Sequence, residues 1–253
     1  EVILFIGSGV PKNLGLPTYS EMIAQMAHLL DFDREAFKAL GNSDFLLLAE
    51  YYYLQKGSLG GLRSWMDRQW HNPHIDISQS TIYKLIIELG FPIIYTTNFD
   101  RWLENAFDHY GEEYVKITNV ADIPSIKPDV TQIIKFHGDF DDDASLVLTE
   151  SNYFNRLDFE TPIDIKLRLD SLQKSLLFIG YSLSDINIRY MLYKLQKQWD
   201  ESSFGHIRPK SYIFMAGENP IKERILRERG IIPIVSGEEP GAALAHFLES
   251  LKI

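Results

Sequence analysis

Four short clusters of residues in this chain have the types and spacing that chemistry needs. Asn98 and Asp100 lie in Thr96-Thr97-Asn98-Phe99-Asp100, His137 in His137-Gly138, and Ser182 and Asp185 in Gly180-Tyr181-Ser182-Leu183-Ser184-Asp185. The fourth cluster is Gly7-Ser8-Gly9-Val10, followed by Gly15-Leu16-Pro17 and then Tyr19. An imidazole can take a proton near neutral pH. A carboxamide or carboxylate can orient a hydroxyl, and Ser182 can meet a phosphate or ribose through its hydroxyl or N–H. A Gly-x-Gly turn lets an anion approach bare backbone, with the start of the next helix supplying N–H donors. Each cluster also has an ordinary use. Gly-x-Gly can be a tight turn, and its spacing here is not Gly-x-Gly-x-x-Gly. Asn98 or Asp100 can N-cap a helix over 101–109, and Ser184 or Asp185 a helix over 186–198. A lone His is commonly structural.

The positions of the clusters give them weight. Each directly follows a short apolar, β-rich run: 2–6, 93–95, 133–136 and 176–179, with further runs at 212–215 and 231–235. These runs have strand length and no clean polar alternation, as expected of parallel strands covered on both faces. Helical stretches separate them, which predicts an α/β fold with a Rossmann-like doubly wound parallel sheet. Ligands of such sheets sit outside the carboxyl ends of the strands. Four strand ends therefore aim small and polar residues at one crevice, and the pattern predicts a dinucleotide pocket.

Residues 20–89 break the alternation. They predict consecutive helices at 20–30, 34–40, 44–56, 59–70 and 78–88, with Ser20, Asp33 and Asp44 as N-caps and Gly41 and Gly57 as stops. This stretch is too long for one crossover helix. The expectation is a single domain whose core spans 1–19 and 90–253, with an all-helical insertion over 20–89. Its aromatics, Tyr51, Tyr52, Tyr53, Trp65 and Trp70, read as core or interface.

Composition narrows the partners. The 253 residues carry a formal net charge of −10 and no cysteine. Disulfides and Cys-type zinc sites are excluded, and a reducing, cytoplasmic setting is expected. The one basic cluster, Lys222, Arg224, Arg227 and Arg229, is interrupted by Glu223 and Glu228 and reads as a solvated helix face, so no nucleic-acid partner is expected. No apolar run has the ~20 residues of a membrane span. The apolar start lacks a basic region and runs into the glycine turn, so it reads as a strand and not a signal peptide. The chain begins with Glu1, and residues upstream are expected to be missing. Asp139, Asp141, Asp142 and Asp143 suggest a metal, but consecutive acids in a loop read as solvated, and none is expected.

As a set, the clusters resemble the sirtuin family. Gly7-Ser8-Gly9-Val10 with Gly15-Leu16-Pro17 is similar to the sirtuin Gly-Ala-Gly-Ile-Ser with Gly-Ile-Pro, at the same spacing. Residues 96–100 are similar to Thr-Gln-Asn-Ile-Asp, His137-Gly138 to His-Gly, and residues 180–185 to the Gly-Thr-Ser-Leu stretch, all in the same order. Two departures matter. The four-Cys zinc ribbon of the deacylases is absent, replaced by the short stretch HGDFDDDASLVLTESNYF. Thr18 and Ser20 stand where the deacylase loop has an Asp and an Arg. These departures resemble the zinc-less sirtuin-like effectors of prokaryotic antiphage defence, which hydrolyse NAD.

The resemblance implies NAD as substrate and no zinc, with the pyrophosphate over residues 7–9. Gly7, Ser8, Gly9, Val10, Gly15, Pro17, Tyr19, Thr97, Gly180, Ser182 and Asp185 are the binding residues it implies. Asn98 would order the ribose and the attacking water, and Asp100 would hold the nicotinamide amide or the ribose. His137 would act as base toward a ribose hydroxyl, with a pKa near the ordinary ~6.5. The products would be nicotinamide and ADP-ribose. A homo-oligomer is implied, working with a fused or separate sensor or ATPase partner. An NAD-dependent protein deacylase and a non-catalytic NAD- or ADP-ribose-sensing module are the alternatives.

Overall fold

The computed structural model describes every residue of 1–253 except Ser184, Glu238 and Ile253, and the side chain of Asn13. Its centre is a seven-stranded sheet: β1 (Val2–Ile6), β2 (Ile93–Thr96), β3 (Tyr114–Ile117), β4 (Thr131–Lys135), β5 (Ser175–Ile179), β6 (Ser211–Ala216) and β7 (Ile231–Ser236). All pairings are parallel, in the order β3-β4-β2-β1-β5-β6-β7. The chain builds outward from β1 on one side and then from β5 on the other. The order therefore reverses between β1 and β5, where a doubly wound sheet opens a ligand crevice.

The helices are α1 (Tyr19–Leu29), α2 (Arg34–Leu40), α3 (Phe45–Lys56), α4 (Gly60–Trp70), α5 (Thr81–Glu88), α6 (Trp102–Tyr110), α7 (Glu150–Phe154), α8 (Pro162–Gln173), α9 (Ile186–Asp200), α10 (Pro220–Glu228) and α11 (Pro240–Ser250). Period-2 alternation sends Ile3 and Phe5 to one face of the sheet, under α8, α9 and α10. Leu4 and Ile6 go to the other, under α5, α6 and α11. Each such buried side chain stabilises by about 1.5–3 kcal/mol, which is why these runs show no polar alternation.

The helices α1 to α4 make a third core of their own, from Met22, Met26, Phe37, Leu48, Tyr52, Leu62 and Met66. Phe99, Phe140 and Leu148 join it from the sheet side. α5 packs differently, placing Ile82, Leu85 and Ile86 on the sheet.

Two local expectations are corrected. Ser20 does not cap α1. Thr18 does, in a capping box with Glu21, whose carboxylate accepts from Thr18 N at 2.7 Å and Thr18 Oγ1 at 3.0 Å. The helix expected over 78–88 splits into a 3-10 turn, Ile77–Gln79, and α5, which Ser80 caps. The edge strand β3 adds to the six runs the sequence marks, because its four residues, half-buried in alternation and carrying Lys116, lack the apolar run of a central strand. Asp33 and Asp44 cap α2 and α3, and Gly41 and Gly57 end them.

Strand register then aligns the four clusters. Ile6 lies beside both Thr96 and Ile179, and Thr96 beside Lys135. The turns that follow leave the sheet side by side.

Candidate active site

At the β1–β5 switch the two glycine turns pack on each other. Gly7 N donates to Ile179 O at 3.0 Å and Gly9 N to Gly180 O at 2.7 Å. A Cβ on Gly7 would lie 2.3 Å from Tyr181 Cδ2 and 2.5 Å from Gly180 O; one on Gly9 would lie 2.8 Å from Gly180 Cα. Gly180 itself has φ 58°. These glycines thus admit a neighbouring backbone. Val10 turns its N–H to Gly7 O at 3.1 Å and buries its side chain. The expected row of free N–H donors is corrected accordingly. Among the described residues, Ser8 N–H alone in residues 7–10 lacks an acceptor, and the following 3-10 turn, Pro11–Leu14, begins with proline. Gly15 caps that turn in the left-handed conformation, facing open space.

From the end of β2, Asn98 reaches back to the same turn. Its Nδ2 donates to Gly7 O at 3.2 Å, and its backbone N–H donates to Thr96 Oγ1 at 3.0 Å. Its Oδ1 takes no hydrogen bond among the described residues. Asp100 is 5% exposed and accepts from Trp102 N at 3.1 Å, so it does hold the start of α6. Burial pushes its carboxyl up from the usual range.

His137, 2% exposed, follows β4. Its Nε2 lies 3.3 Å from Asp185 Oδ2, off the line of a hydrogen bond, and its Nδ1 lies 3.4 Å from the Tyr153 hydroxyl. The Tyr153 hydroxyl also lies 3.3 Å from Asp185 Oδ2. Asp185 N-caps α9 by accepting from Ile188 N at 3.1 Å, while Ser184 lies outside the described residues. Burial brings the imidazole down to about 4, with Asp185 pulling the other way and Arg156 adding to the depression. The expectation of an ordinary value is therefore corrected: a ring this dry loses the hydration its cation needs.

These residues line three adjoining cavities. Ser8, Tyr19, Thr97, Asn98, His137, Tyr153, Ser182 and Asp185 surround one of about 250 Å³. A second of about 250 Å³ shares Ser8, Tyr19, Thr97 and Asn98 and adds Pro17, Trp70 and Asp100. Tyr19, edge-on to Phe45 with ring centroids 5.0 Å apart, stands between them. A third, beyond the 180–182 turn, is lined by Gly9, Lys12, Gly180, Ser182, Glu218, Asn219 and Glu239. Of the expected residues, Gly7, Val10 and Gly15 lie outside these walls. Sequence reasoning missed Lys12, Phe45, Tyr153, Glu218 and Asn219. The last two had a signal, since Gly217-Glu218-Asn219 follows β6 as the other clusters follow their strands. Tyr153 and Phe45 had none.

The solvated reading of the acidic run is corrected at Asp139, while Asp141 and Asp143 are exposed as expected. Asp139 is fully buried, 3.3 Å from Lys116 Nζ and 3.8 Å from Lys135 Nζ. Asp141 pairs with Arg101 at 2.8 Å and also with Lys116; Asp143 pairs with Arg63 of α4 at 3.0 Å. The run is an ion-paired bridge between the helical layer and the sheet. No group of His, Asp and Glu suited to a metal ion occurs among the described residues.

The chain is similar to known proteins. The SIR2-like domain family model matches residues 92–234. The NAD(+) hydrolase ThsA of Enterococcus faecium is 27% identical over 193 residues, covering 75% of this chain and 38% of that protein. The protein of the same name from Cytobacillus dafuensis is 24% identical over 204 residues, covering 80% and 40%. Defense-associated sirtuin 2 of Bacillus subtilis is 21% identical over 232 residues, covering 89% and 22%. The chain thus spans about two fifths or less of the length of these relatives. A solved structure described as "Structural Basis for the Mechanism and Regulation of Sir2 Enzymes" aligns over 99% of this chain and 92% of that one, at TM-score 0.48 and 12% identity.

Proposed function

From the premise that this chain belongs to the SIR2-like domain family, we propose that it is an NAD hydrolase, splitting the nicotinamide–ribose bond with water as acceptor. The observation that carries this reading is the meeting of Asn98, His137 and Asp185 around one cavity at the β1–β5 switch. The relatives named NAD(+) hydrolase support it.

Leaving nicotinamide builds positive oxocarbenium character on the ribose. The protein must fix the sugar and manage its hydroxyl protons in a site shielded from bulk water. In this reading the pyrophosphate lies over residues 7–9, met by Ser8 and Lys12, with Gly9, Gly180 and Ser182 along the adenosine side. Gly7, Val10 and Gly15 shape the turn from behind. Asn98, already tied to Gly7 O, offers its free Oδ1 to the ribose or the attacking water. Asp100 and Thr97 bound the nicotinamide end with Pro17 and Tyr19. His137 is neutral above about pH 4, so its lone pair is unprotonated at neutral pH. The sequence has no cysteine for a Cys-type zinc site, and the reading includes no zinc.

We read the chain as one domain, its core from 1–19 and 90–253 and its helical insertion over 20–89, acting in the cytoplasm as an antiphage effector through NAD depletion. Homo-oligomerisation and a fused or separate sensor or ATPase partner complete the reading. No helix among the described residues is long and apolar enough to cross a membrane.

The test is incubation of purified protein with NAD and chromatography of the products. Nicotinamide and ADP-ribose should appear without any acyl-peptide, and Asn98→Ala and His137→Ala should each lose turnover by roughly 100-fold or more while keeping the wild-type circular dichroism. Release that depends on an acetyl-lysine peptide would favour the deacylase, and tight NAD binding without product the sensing module. A protein that does not bind NAD overturns the reading.

A further inference from the structure

His137 lines the cavity, yet neither ring nitrogen opens into it. Nε2 faces Asp185 Oδ2 at 3.3 Å and Nδ1 faces the Tyr153 hydroxyl at 3.4 Å. Although Asp185 Oδ2 lies off the line of a hydrogen bond, a carboxylate at that distance still favours a proton over a lone pair on Nε2. The proton of the neutral ring therefore sits on Nε2, and Nδ1 carries the lone pair. Among the described residues, the group facing that lone pair is the phenol of Tyr153, whose hydroxyl donates to Asp185 Oδ2 at 3.3 Å and must turn its proton to Nδ1, 3.4 Å away, for transfer. Tyr153 is half-buried and lines the same cavity as His137, so a group bound there can meet its hydroxyl.

The position of Tyr153 is fixed from several directions. Val147 N donates to His137 O at 2.9 Å, folding the segment back over the imidazole. Thr149 caps the short α7 with Asn152. Ser151 donates from both its N and its Oγ to Glu50 of α3, each at 2.9 Å, tying α7 to the helical layer. The charged groups around the pair are Asp185 at the start of α9, Arg156 beyond α7 and Asp164 of α8; Tyr19 and Tyr181 also face Asp185. Arg156 is engaged by Asp164 and Phe136 O, which leaves Asp185 as the anion able to steady an imidazolium.

The geometry points to Tyr153 as a proton relay between bound substrate and His137, with Asp185 as the positioning residue that sets the tautomer. This rests on the NAD-hydrolase reading and deepens it. As the ribose hydroxyl gives up its proton, that proton bonds to the Tyr153 oxygen while the phenol's own proton bonds to Nδ1. One sugar O–H and one phenol O–H break; one phenol O–H and one N–H form. The attacking water supplies the new C–O bond and returns a proton to the ribose oxygen. The imidazolium proton leaves through Tyr153 to solvent, matching the one proton that hydrolysis of the cationic nicotinamide riboside releases.

Tyr153→Phe tests this, because it keeps the ring that packs edge-on to His137, centroids 5.1 Å apart, and removes only the hydroxyl. The expected result is a kcat lower by roughly 100-fold with NAD affinity changed by less than about 2-fold. A curved solvent proton inventory is expected in the wild type. Variant kcat within about 3-fold of wild type overturns the relay. Imidazole nitrogen NMR decides it without turnover. A proton on Nε2, with the Nδ1 resonance shifting in Tyr153→Phe, supports it; a proton on Nδ1 overturns it. Wild-type protein that releases no nicotinamide yet shows the Nε2–H ring speaks against NAD hydrolysis and leaves the His137–Tyr153 geometry standing.

Discussion

The two sides of the crevice are held by opposite means. Where β1 meets β5, backbone packs on backbone, and Gly7, Gly9 and Gly180 leave no room for a Cβ between them. Where β2 and β4 end, charged side chains close the gap. Lys135, 1% exposed, lies 3.1 Å from Glu104 and 3.8 Å from Asp139, and donates to the Asp100 carbonyl. Arg101, Asp141, Asp143 and Arg63 extend that lattice to α4. The first side is steric and indifferent to salt or pH. The second is electrostatic, its buried part depending on every partner being present.

The sharpest break in this comparison is Lys135→Met. It leaves the buried carboxylate of Glu104 without its amine and Asp139 with Lys116 alone, and removing one partner of a buried pair costs about 3–5 kcal/mol. The urea midpoint should fall accordingly. A loss under about 1 kcal/mol would mean that these carboxyls take up protons, and that the charged side is not held by its charges.

His137, at the end of β4, gives the comparison a pH axis. Its folded value of about 4 lies below the ordinary ~6.5 of an unfolded chain. As pH falls, the unfolded state binds the proton first. The stabilisation is therefore complete above about 6.5, drains away between about 6.5 and about 4, and is flat below. The span corresponds to about 3 kcal/mol. Denaturation of wild type and His137→Ala across that window should show a steeper rise of stability with pH in the wild type than in the variant. The acid limb of kcat/KM should likewise lie well below pH 6.5.

The steric side was the legible one. A glycine after a buried run has few uses, and the runs at 2–6 and 176–179 fall on β1 and β5. What those glycines admit was not legible, since Gly180 lies far along the chain from Gly9 and nothing local says that one turn will rest on the other. The charged side is legible only in part. Asp141 and Asp143 are exposed as their sequence suggests, but the burial of Asp139 and the ion pairs of the run are not legible, because the partners Arg63, Lys116 and Arg101 come from elsewhere in the chain; Arg101 is 40 residues from Asp141. Tyr153 was invisible for the same reason. Its role comes from meeting His137 and Asp185 in space, and no spacing in the chain records it.

A smaller effect tests the steric side directly. Gly9→Ala must move Gly180 or its own strand end, and overpacking of this kind costs about 1–3 kcal/mol. The loss should be the same at low and high salt, and NAD binding should weaken with it, because Ser8 and Asn98 are both registered on that turn. A salt-dependent loss would show that charge contributes at the switch point as well.

The smallest effect marks the outer edge of the charged side. Asp141 is 54% exposed and pairs with Arg101 at 2.8 Å. Exposed pairs of this kind contribute about 0–1 kcal/mol and fade with salt. Asp141→Asn should lower the urea midpoint by no more than that at low ionic strength, and by nothing measurable at 1 M salt, where the Debye length is about 3 Å. The same variant in a Lys135→Met background separates a lattice from a collection of pairs. If Asp141 acts only on Arg101, the two losses add. If Lys116, which touches both Asp139 and Asp141, carries strain from the buried end to the exposed one, the double variant departs from additivity by about 0.5 kcal/mol or more.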